Sequence, residues 1–234
     1  MAPTYYFSGV NKPELLAVLG RQHACGMLNA LSAGQPKLRR AYERYPVELV
    51  LDSGAVQGNQ NIVGYARLIK LIGARMTWIA NLDSLHNQQA SDENFRHLQA
   101  LLADEVLACT KLLWIYQCQS CGDHWDPDGD LDLLKRALDH HRFIGLGGIL
   151  SVVERDIQHA QNLLGTLGEI LDAAGAQAHI FGIGNYPLLT YCLTQRWFRS
   201  ADSARWLQGL RSRMLLTVDG KVLSGKRLTF TGLQ

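Results

Sequence analysis

His179-Ile180-Phe181-Gly182-Ile183-Gly184-Asn185-Tyr186-Pro187, followed a short helix later by Phe198-Arg199-Ser200-Ala201-Asp202-Ser203-Ala204-Arg205-Trp206, decides how this chain is read. The first stretch has the form of a buried strand that runs out in glycines. The second is a short strand that delivers Asp202 at its C-terminal end. Two earlier segments share the pattern, Val50-Leu51-Asp52-Ser53-Gly54 and Ile79-Ala80-Asn81-Leu82-Asp83. A fourth hydrophobic run ends in Gly145-Leu146-Gly147-Gly148 and offers bare backbone where the others offer charge. In a barrel of alternating strands and helices, the C-terminal strand ends carry the chemistry.

Working outward, strands are expected at Thr4 to Ser8, Ala24 to Leu31, Val47 to Leu51, Thr77 to Leu82, Leu112 to Gln119, Phe143 to Leu146, Gln177 to Ile183 and Trp197 to Ala201. The run at Ala24 also fits a helical period. Helical spacing is expected over Lys12 to Gly20, Gln35 to Tyr45, Asn61 to Gly73, Ser91 to Ala108 (opened by Ser91), Leu131 to His140 and Val152 to Ala173. Strand and helix alternate throughout, and such crossovers force parallel pairing. The fold class is therefore α/β, a small TIM-type (β/α)8 barrel occupying residues 1–234 as a single domain. A hairpin with an Asp219-Gly220 turn is expected between Met214 to Val218 and Lys221 to Leu223.

A chain of 234 residues, 47% hydrophobic and 19% charged, has enough apolar residues for one sizeable core. Its longest apolar run, Phe143 to Val153, is too short to span a bilayer, so no membrane association is expected. The N-terminus lacks the charged and hydrophobic regions of a secretion signal. Five cysteines without framework spacing suit a reducing cytoplasm. Charge is uneven: from Arg196 to Arg227 there are eight Lys or Arg against two acids, Asp202 and Asp219. A basic section beside an acid favours a phosphate-bearing substrate, although a solvated helix face has the same composition.

An Asp at a strand end often does no more than cap the next helix. Three at one face of a barrel are a different signal. Chemistry at a sugar C1′ needs one carboxylate to attack or stabilise the oxocarbenium-like centre and another to move protons at the leaving base. A third accepts from the Watson–Crick edge of a guanine-like base. Gln117 and Gln119 share one face of their strand, and one of them is expected to face the pocket. Cys118, Cys121 and His124 form a C-x-x-C-x-x-H cluster, but no fourth ligand is evident and no metal or cofactor is assigned. His140-His141, near a helix end, reads as a favourable terminal charge.

In chain order, Leu51-Asp52-Ser53-Gly54, Asn81-Leu82-Asp83, Tyr116-Gln117, Gly145-Leu146-Gly147-Gly148, His179-Ile180-Phe181-Gly182-Ile183-Gly184 and Ser200-Ala201-Asp202-Ser203 resemble the tRNA-guanine transglycosylase superfamily. They look most like its compact, DpdA-type branch, which places 7-deazaguanine bases in DNA. The resemblance implies exchange of guanine for a base such as preQ0. Asp202 would be the nucleophile that forms a covalent intermediate, and Asp52 the acid/base. Asp83, Gln117, Gly147 and Gly148 would read the base, with Ser53, Gly54, Gly182 and Arg205 as further substrate contacts.

The chain departs from the tRNA enzymes in having no cysteine beyond Cys192, hence no zinc subdomain, and in reducing a double glycine to Gly54-Ala55. Nucleic acid is the expected partner, DNA before tRNA, presented flipped or single-stranded, with a helper ATPase or partner subunit possible. Tyr186, Trp206 and Trp125 are candidates to stack on the base. Two alternatives remain at this level: a tRNA or nucleoside enzyme of the same fold, and an inactive base-binding barrel. A pure scaffold has no need to hold like charges together.

Overall fold

The computed structural model describes residues 2–85, 87–102, 104, 106, 111–118, 127–153, 156–204, 214–216 and 222–224, with backbone alone at 127–130, 151, 153, 214–216 and 222–224. Nine strand segments form one parallel sheet: β1 (Thr4–Phe7), β2 (Cys25–Asn29), β3 (Leu49–Asp52), β4 (Ile79–Ala80), β5 (Leu112–Leu113), β6 (Ile115–Gln117), β7 (Phe143–Gly147), β8 (Gln177–Ile180) and β9 (Phe198–Ser203). The order β5-β4-β3-β2-β1-β9-β8-β7-β6 begins and ends on two halves of one stretch, since only Trp114 separates β5 from β6. The halves face opposite neighbours, β5 pairing with β4 and β6 with β7. At the seam, Gly145 N–H donates to the Trp114 carbonyl at 2.8 Å. The sheet thus comes round on itself as a TIM-type α/β barrel.

The break in the expected fifth strand has a local cause. β4 ends at Ala80, so the Ile115 carbonyl and the Gln117 N–H have no strand beside them on that side. The Gln88 side chain takes its place: Nε2 donates to the Ile115 carbonyl at 3.2 Å and Oε1 accepts from Gln117 N–H at 2.7 Å. Buried backbone groups must find partners, and here one amide serves two of them.

The helices are α1 (Pro13–Arg21), α2 (Ala30–Ala33), α3 (Pro36–Arg44), α4 (Ile62–Ile72), α5 (Gln88–Leu101), α6 (Pro127–Leu138), α7 (Ile149–Val153), α8 (Ile157–Ala174) and α9 (Tyr186–Leu193). Four differ from expectation: α2 takes Ala30 and Leu31 from the expected second strand, α6 opens at Pro127 rather than Leu131, and the other two have visible caps. α5 opens at Asn87, whose Oδ1 accepts from Ala90 N–H, so Ser91 is not its cap. The helix expected over Val152 to Ala173 is two, because Asp156 accepts from Gln158 and His159 N–H and starts a new one. His141 also departs from the charge reading. Its ring stacks on Trp114 at an interplanar angle of 1° and burial pushes its pKa down, so it packs as a neutral ring.

Alternation along the strands divides the apolar residues between inside and outside. Tyr6, Met27, Val50, Trp78, Ala80, Leu113 and Ile115 fill the barrel interior. Leu28, Leu49, Leu51 and Ile79 face α1 to α5, while Tyr116, Ile144, Leu146, Ala178 and Ile180 face chiefly α6 to α9. Strands buried on both faces explain the near-continuous apolar runs of the sequence. Beyond the barrel, β10 (Met214–Leu216) pairs antiparallel with β11 (Val222–Ser224); the expected Asp219-Gly220 turn lies outside the described residues. Among the described residues no helix is long and apolar enough to cross a membrane.

Gly168 of α8 tests the outer packing. An added Cβ would lie 2.1 Å from the indole nitrogen of Trp197, a fully buried side chain. Gly168→Ala should destabilise by about 1–3 kcal/mol in urea unfolding, although alanine favours helix by up to about 1 kcal/mol. Gly165→Ala, one turn away with its nearest neighbour at 3.4 Å, should be neutral or stabilising.

Candidate active site

The period-2 alternation that fills the barrel also builds its upper rim. Two residues beyond the inward-facing Met27, Val50 and Ile115 come Asn29, Asp52 and Gln117, at the C-terminal ends of their strands. Strand register sets Asn29 beside Asp52, Gln117 beside Gly147, and Tyr6 beside Asp202. The three acids meet at this mouth. Asp202 and Asp83 both act electrostatically on Asp52.

Asp52, the last residue of β3, keeps partial contact with solvent. Asn29 Nδ2 donates to its Oδ2 at 2.9 Å. Burial, the Asp202 carboxylate and the Asp83 carboxylate together push its pKa up to about 7, against the opposing pull of the Gly54 backbone and Asn29. Asp52 therefore exchanges a proton near neutral pH.

Asp83 stands three residues past β4, on a loop that α5 ties down. Asn81 Nδ2 donates to the Ser91 carbonyl at 2.7 Å, Ser84 N–H to Ser91 Oγ at 2.8 Å, and Asn94 Nδ2 to the Leu82 carbonyl at 2.9 Å. The carboxylate so placed accepts from Ser53 Oγ at 2.9 Å on Oδ1 and from Gln117 Nε2 at 2.7 Å on Oδ2. Burial raises its pKa and these two donors oppose the rise. Gln117 is buried, and its Oε1 has no hydrogen-bond partner among the described residues.

Asp202 is held by one oxygen. Its Oδ1 accepts from Gly182 N–H at 3.0 Å and lies 3.2 Å from His179 Nε2. Among the described residues Oδ2 accepts nothing. Gly182 has φ +78°, a left-handed conformation open to glycine without strain, and that turn presents its N–H to the acid. Neither Asp52 nor Asp83 caps a helix, and Ser200 Oγ lies 2.9 Å from His179 Nδ1.

The glycines of β7 serve as clearance. A Cβ on Gly147 would come 2.9 Å from the Gln117 amide, and one on Gly148 2.7 Å from the Cys118 carbonyl. The Gly147 carbonyl is already used, accepting from Cys118 N–H at 3.0 Å. Gly54 lies against the Asn29 side chain. Arg205, Trp206, Trp125, Gln119, Cys121 and His124 lie outside the described residues. Cys118 is buried in the outer core, and among the described residues no His, Cys, Asp or Glu trio is placed to hold a metal ion. Sequence reasoning passed over Asn29, His179 and Ser200. The signal was available for His179, a polar residue at an inward position two before Phe181. A separate cleft of about 550 Å³, lined by Lys135, Asp139, Arg142 and Glu169 among others, contains none of the strand-end acids.

No protein-family model and no curated protein matches this chain in sequence. Among solved structures it is similar to a protein from Coccidioides immitis assigned as a fructose-1,6-biphosphate aldolase, with a TM-score of 0.53 and 11% identity over 90% of this chain and 78% of that one. It is also similar to a dipeptide epimerase from Methylococcus capsulatus complexed with Mg ion, with a TM-score of 0.51 and 14% identity over 97% of this chain. This chain spans 63% of that epimerase. At such identities the likeness shows the shared barrel fold alone.

The raised pKa of Asp52 has a consequence for stability. The folded state holds the proton more tightly than the unfolded chain, whose carboxyl titrates near 3.8. This contribution is complete below the unfolded value and is lost as pH rises through about 7. Asp52→Asn should therefore stabilise the protein more at pH 8 than at pH 4.5. We expect the difference to be about 2 kcal/mol in urea unfolding, below the full linkage value because the side chain still meets solvent.

Proposed function

We propose that the protein is a base-exchange transglycosylase, replacing guanine in nucleic acid with a 7-deazaguanine base such as preQ0. The observation that carries this reading is the convergence of three carboxylates with three different hydrogen-bond environments at one mouth. Asp202, anchored through Oδ1, attacks C1′ through Oδ2. The C1′–N bond breaks as the C1′–O bond forms, and protonated Asp52 delivers its proton to the leaving base. Asp52, now ionised, takes a proton from the incoming base, which attacks C1′ and releases the Asp202 carboxylate. Two inversions give net retention. An acid with a pKa near 7 is suited to both directions of transfer.

Recognition falls to Asp83 and Gln117. The Asp83 carboxylate accepts N–H groups from a guanine-like edge. Gln117 Oε1, without a partner among the described residues, is a buried acceptor that a ligand N–H would satisfy, beneath the space that Gly147 leaves. A buried acceptor without a partner costs roughly 1–3 kcal/mol, which a bound base would recover. Ser53 orients Asp83 from the side opposite Gln117.

Charge placement bears on the substrate. Arg21, Arg44, Arg75, Lys111, Arg142 and Arg196 precede strands, whereas 30–35, 53–61, 81–90 and 182–195, which follow strands, contain no Lys or Arg. Phosphates at the mouth would depend on Lys12, on Arg155 after β7 and on the basic run that starts at Arg205 after β9. The uncharged loops favour a second reading, a free nucleoside as acceptor.

One assay separates these. Labelled preQ0 is offered with duplex DNA, single-stranded DNA, tRNA and guanosine in parallel, and incorporation into DNA is expected. Asp202→Ala should reduce it to background, and Asp52→Asn by about 10²–10⁴-fold. Label in guanosine alone would establish the second reading. No label in any acceptor, or wild-type exchange by Asp202→Ala, would overturn both.

A further inference from the structure

His179 is wholly buried and sits directly beneath the mouth, in a cage of rings. Trp78 and Phe181 lie 4.6 and 4.5 Å from it between centroids, and Tyr6 lies at 6.0 Å. Its two nitrogens have different neighbours: Nδ1 is 2.9 Å from Ser200 Oγ, and Nε2 is 3.2 Å from Asp202 Oδ1. A carboxylate only accepts hydrogen bonds, so Nε2 must carry a hydrogen. A serine hydroxyl both donates and accepts, and donates to Nδ1 when that nitrogen carries a lone pair. Burial in the aromatic cage disfavours the imidazolium, against the opposing attraction of Asp202.

We propose that Ser200 and His179 form a positioning relay that fixes Asp202 through a neutral, Nε2-protonated imidazole. This rests on the transglycosylase reading for its chemical role and on the described geometry for its existence. With Gly182 N–H, the relay supplies two donors to one oxygen, which becomes the ester carbonyl of the covalent intermediate. When that ester breaks, negative charge returns to the carboxylate, and donors already in place stabilise it without reorganisation. The relay thus makes Asp202 a better leaving group in the second half of the exchange. No proton passes between His179 and Asp202. The protons moved belong to Asp52 and the bases.

The tautomer is read first, in the free protein, from imidazole ¹⁵N chemical shifts assigned by the loss of one signal in His179→Phe. Nε2 protonated and Nδ1 accepting is expected at neutral pH, with Ser200→Ala giving a mixture of tautomers. An Nδ1–H tautomer or an imidazolium at neutral pH overturns the relay whether or not the protein exchanges bases. The second readout is the denaturation-resistant nucleic acid adduct. His179→Phe, which keeps a ring in the cage, should slow turnover roughly ten- to a hundredfold, the value of one hydrogen bond to a charge, while the adduct accumulates. His179→Gln, which retains a donor near the Nε2 position, should restore part of the turnover. Equal loss of adduct and turnover in both variants marks a packing role and overturns the proposal. If wild type forms no adduct but shows the expected tautomer, the exchange reading fails and the relay stands.

Discussion

Like charges resist being gathered, and the mouth of this barrel gathers three. Asp52, Asp83 and Asp202 come from strands far apart in sequence and are brought together because the sheet closes at the β5 and β6 seam. The repulsion is distributed unequally. Asp202 receives a backbone N–H and the His179 ring on one oxygen, and Asp83 receives a hydroxyl and an amide on two. Asp52 receives the Asn29 side-chain amide and the Gly54 backbone, and both other carboxylates raise its pKa. Burial and both neighbouring carboxylates push the Asp52 pKa up to about 7, so this residue holds a proton close to neutral pH. Three residues of one type differ in burial, in the kind of donor each receives and in the charges beside them.

The shortest pairing in the sheet, that of β3 with β4, lies beside Asp83. β4 contributes two residues, and the polypeptide leaves it for the Asp83 loop where a longer strand would have continued. Side chains replace the missing ladder. Gln88 satisfies β6, Tyr65 OH donates to the Ala80 carbonyl at 2.7 Å, and Asn81 and Asn94 bond across to and from α5. Shortening β4 frees Asp83 from the period-2 geometry of a strand, so its carboxylate reaches both Ser53 and Gln117. A regular strand would have placed it by alternation only.

Much of this was legible in the sequence for one reason: strands buried on both faces must be apolar, so the first polar residue after each run marks the barrel end. Asp52 and Gln117 stand out in that way, and Asp83 and Asp202 as the carboxylates a few residues past the first polar ones, Asn81 and Arg199. What escaped were side chains that act as backbone. Nothing in Gln88-Gln89 distinguishes a helix surface from a strand surrogate, and Ser91, which has the residue type of a cap, spends its hydroxyl on the Asp83 loop. Asn29 was obscured because its strand also fits a helical period. His179 and Ser200 read as ordinary members of two strands, and only the closed barrel places one ring between Ser200 and Asp202.

The glycines of β7 join the two halves of the site. Gly147 was read as backbone offered to a base, yet its carbonyl is engaged by Cys118 and what it provides is room above the Gln117 amide. Gly145, two residues earlier on the same face, provides room for Phe181, whose ring would lie 2.6 Å from an added Cβ. Phe181 in turn packs edge-on against His179, the ring that touches Asp202. Two glycines on the inward face of one strand thus make room for the Gln117 amide at its end and for the rings that support Asp202 below it. A side chain at Gly145 would act on Asp202 through two rings, at a position that contacts no acid itself. In this barrel the interior packing and the chemistry at the mouth are a single constraint.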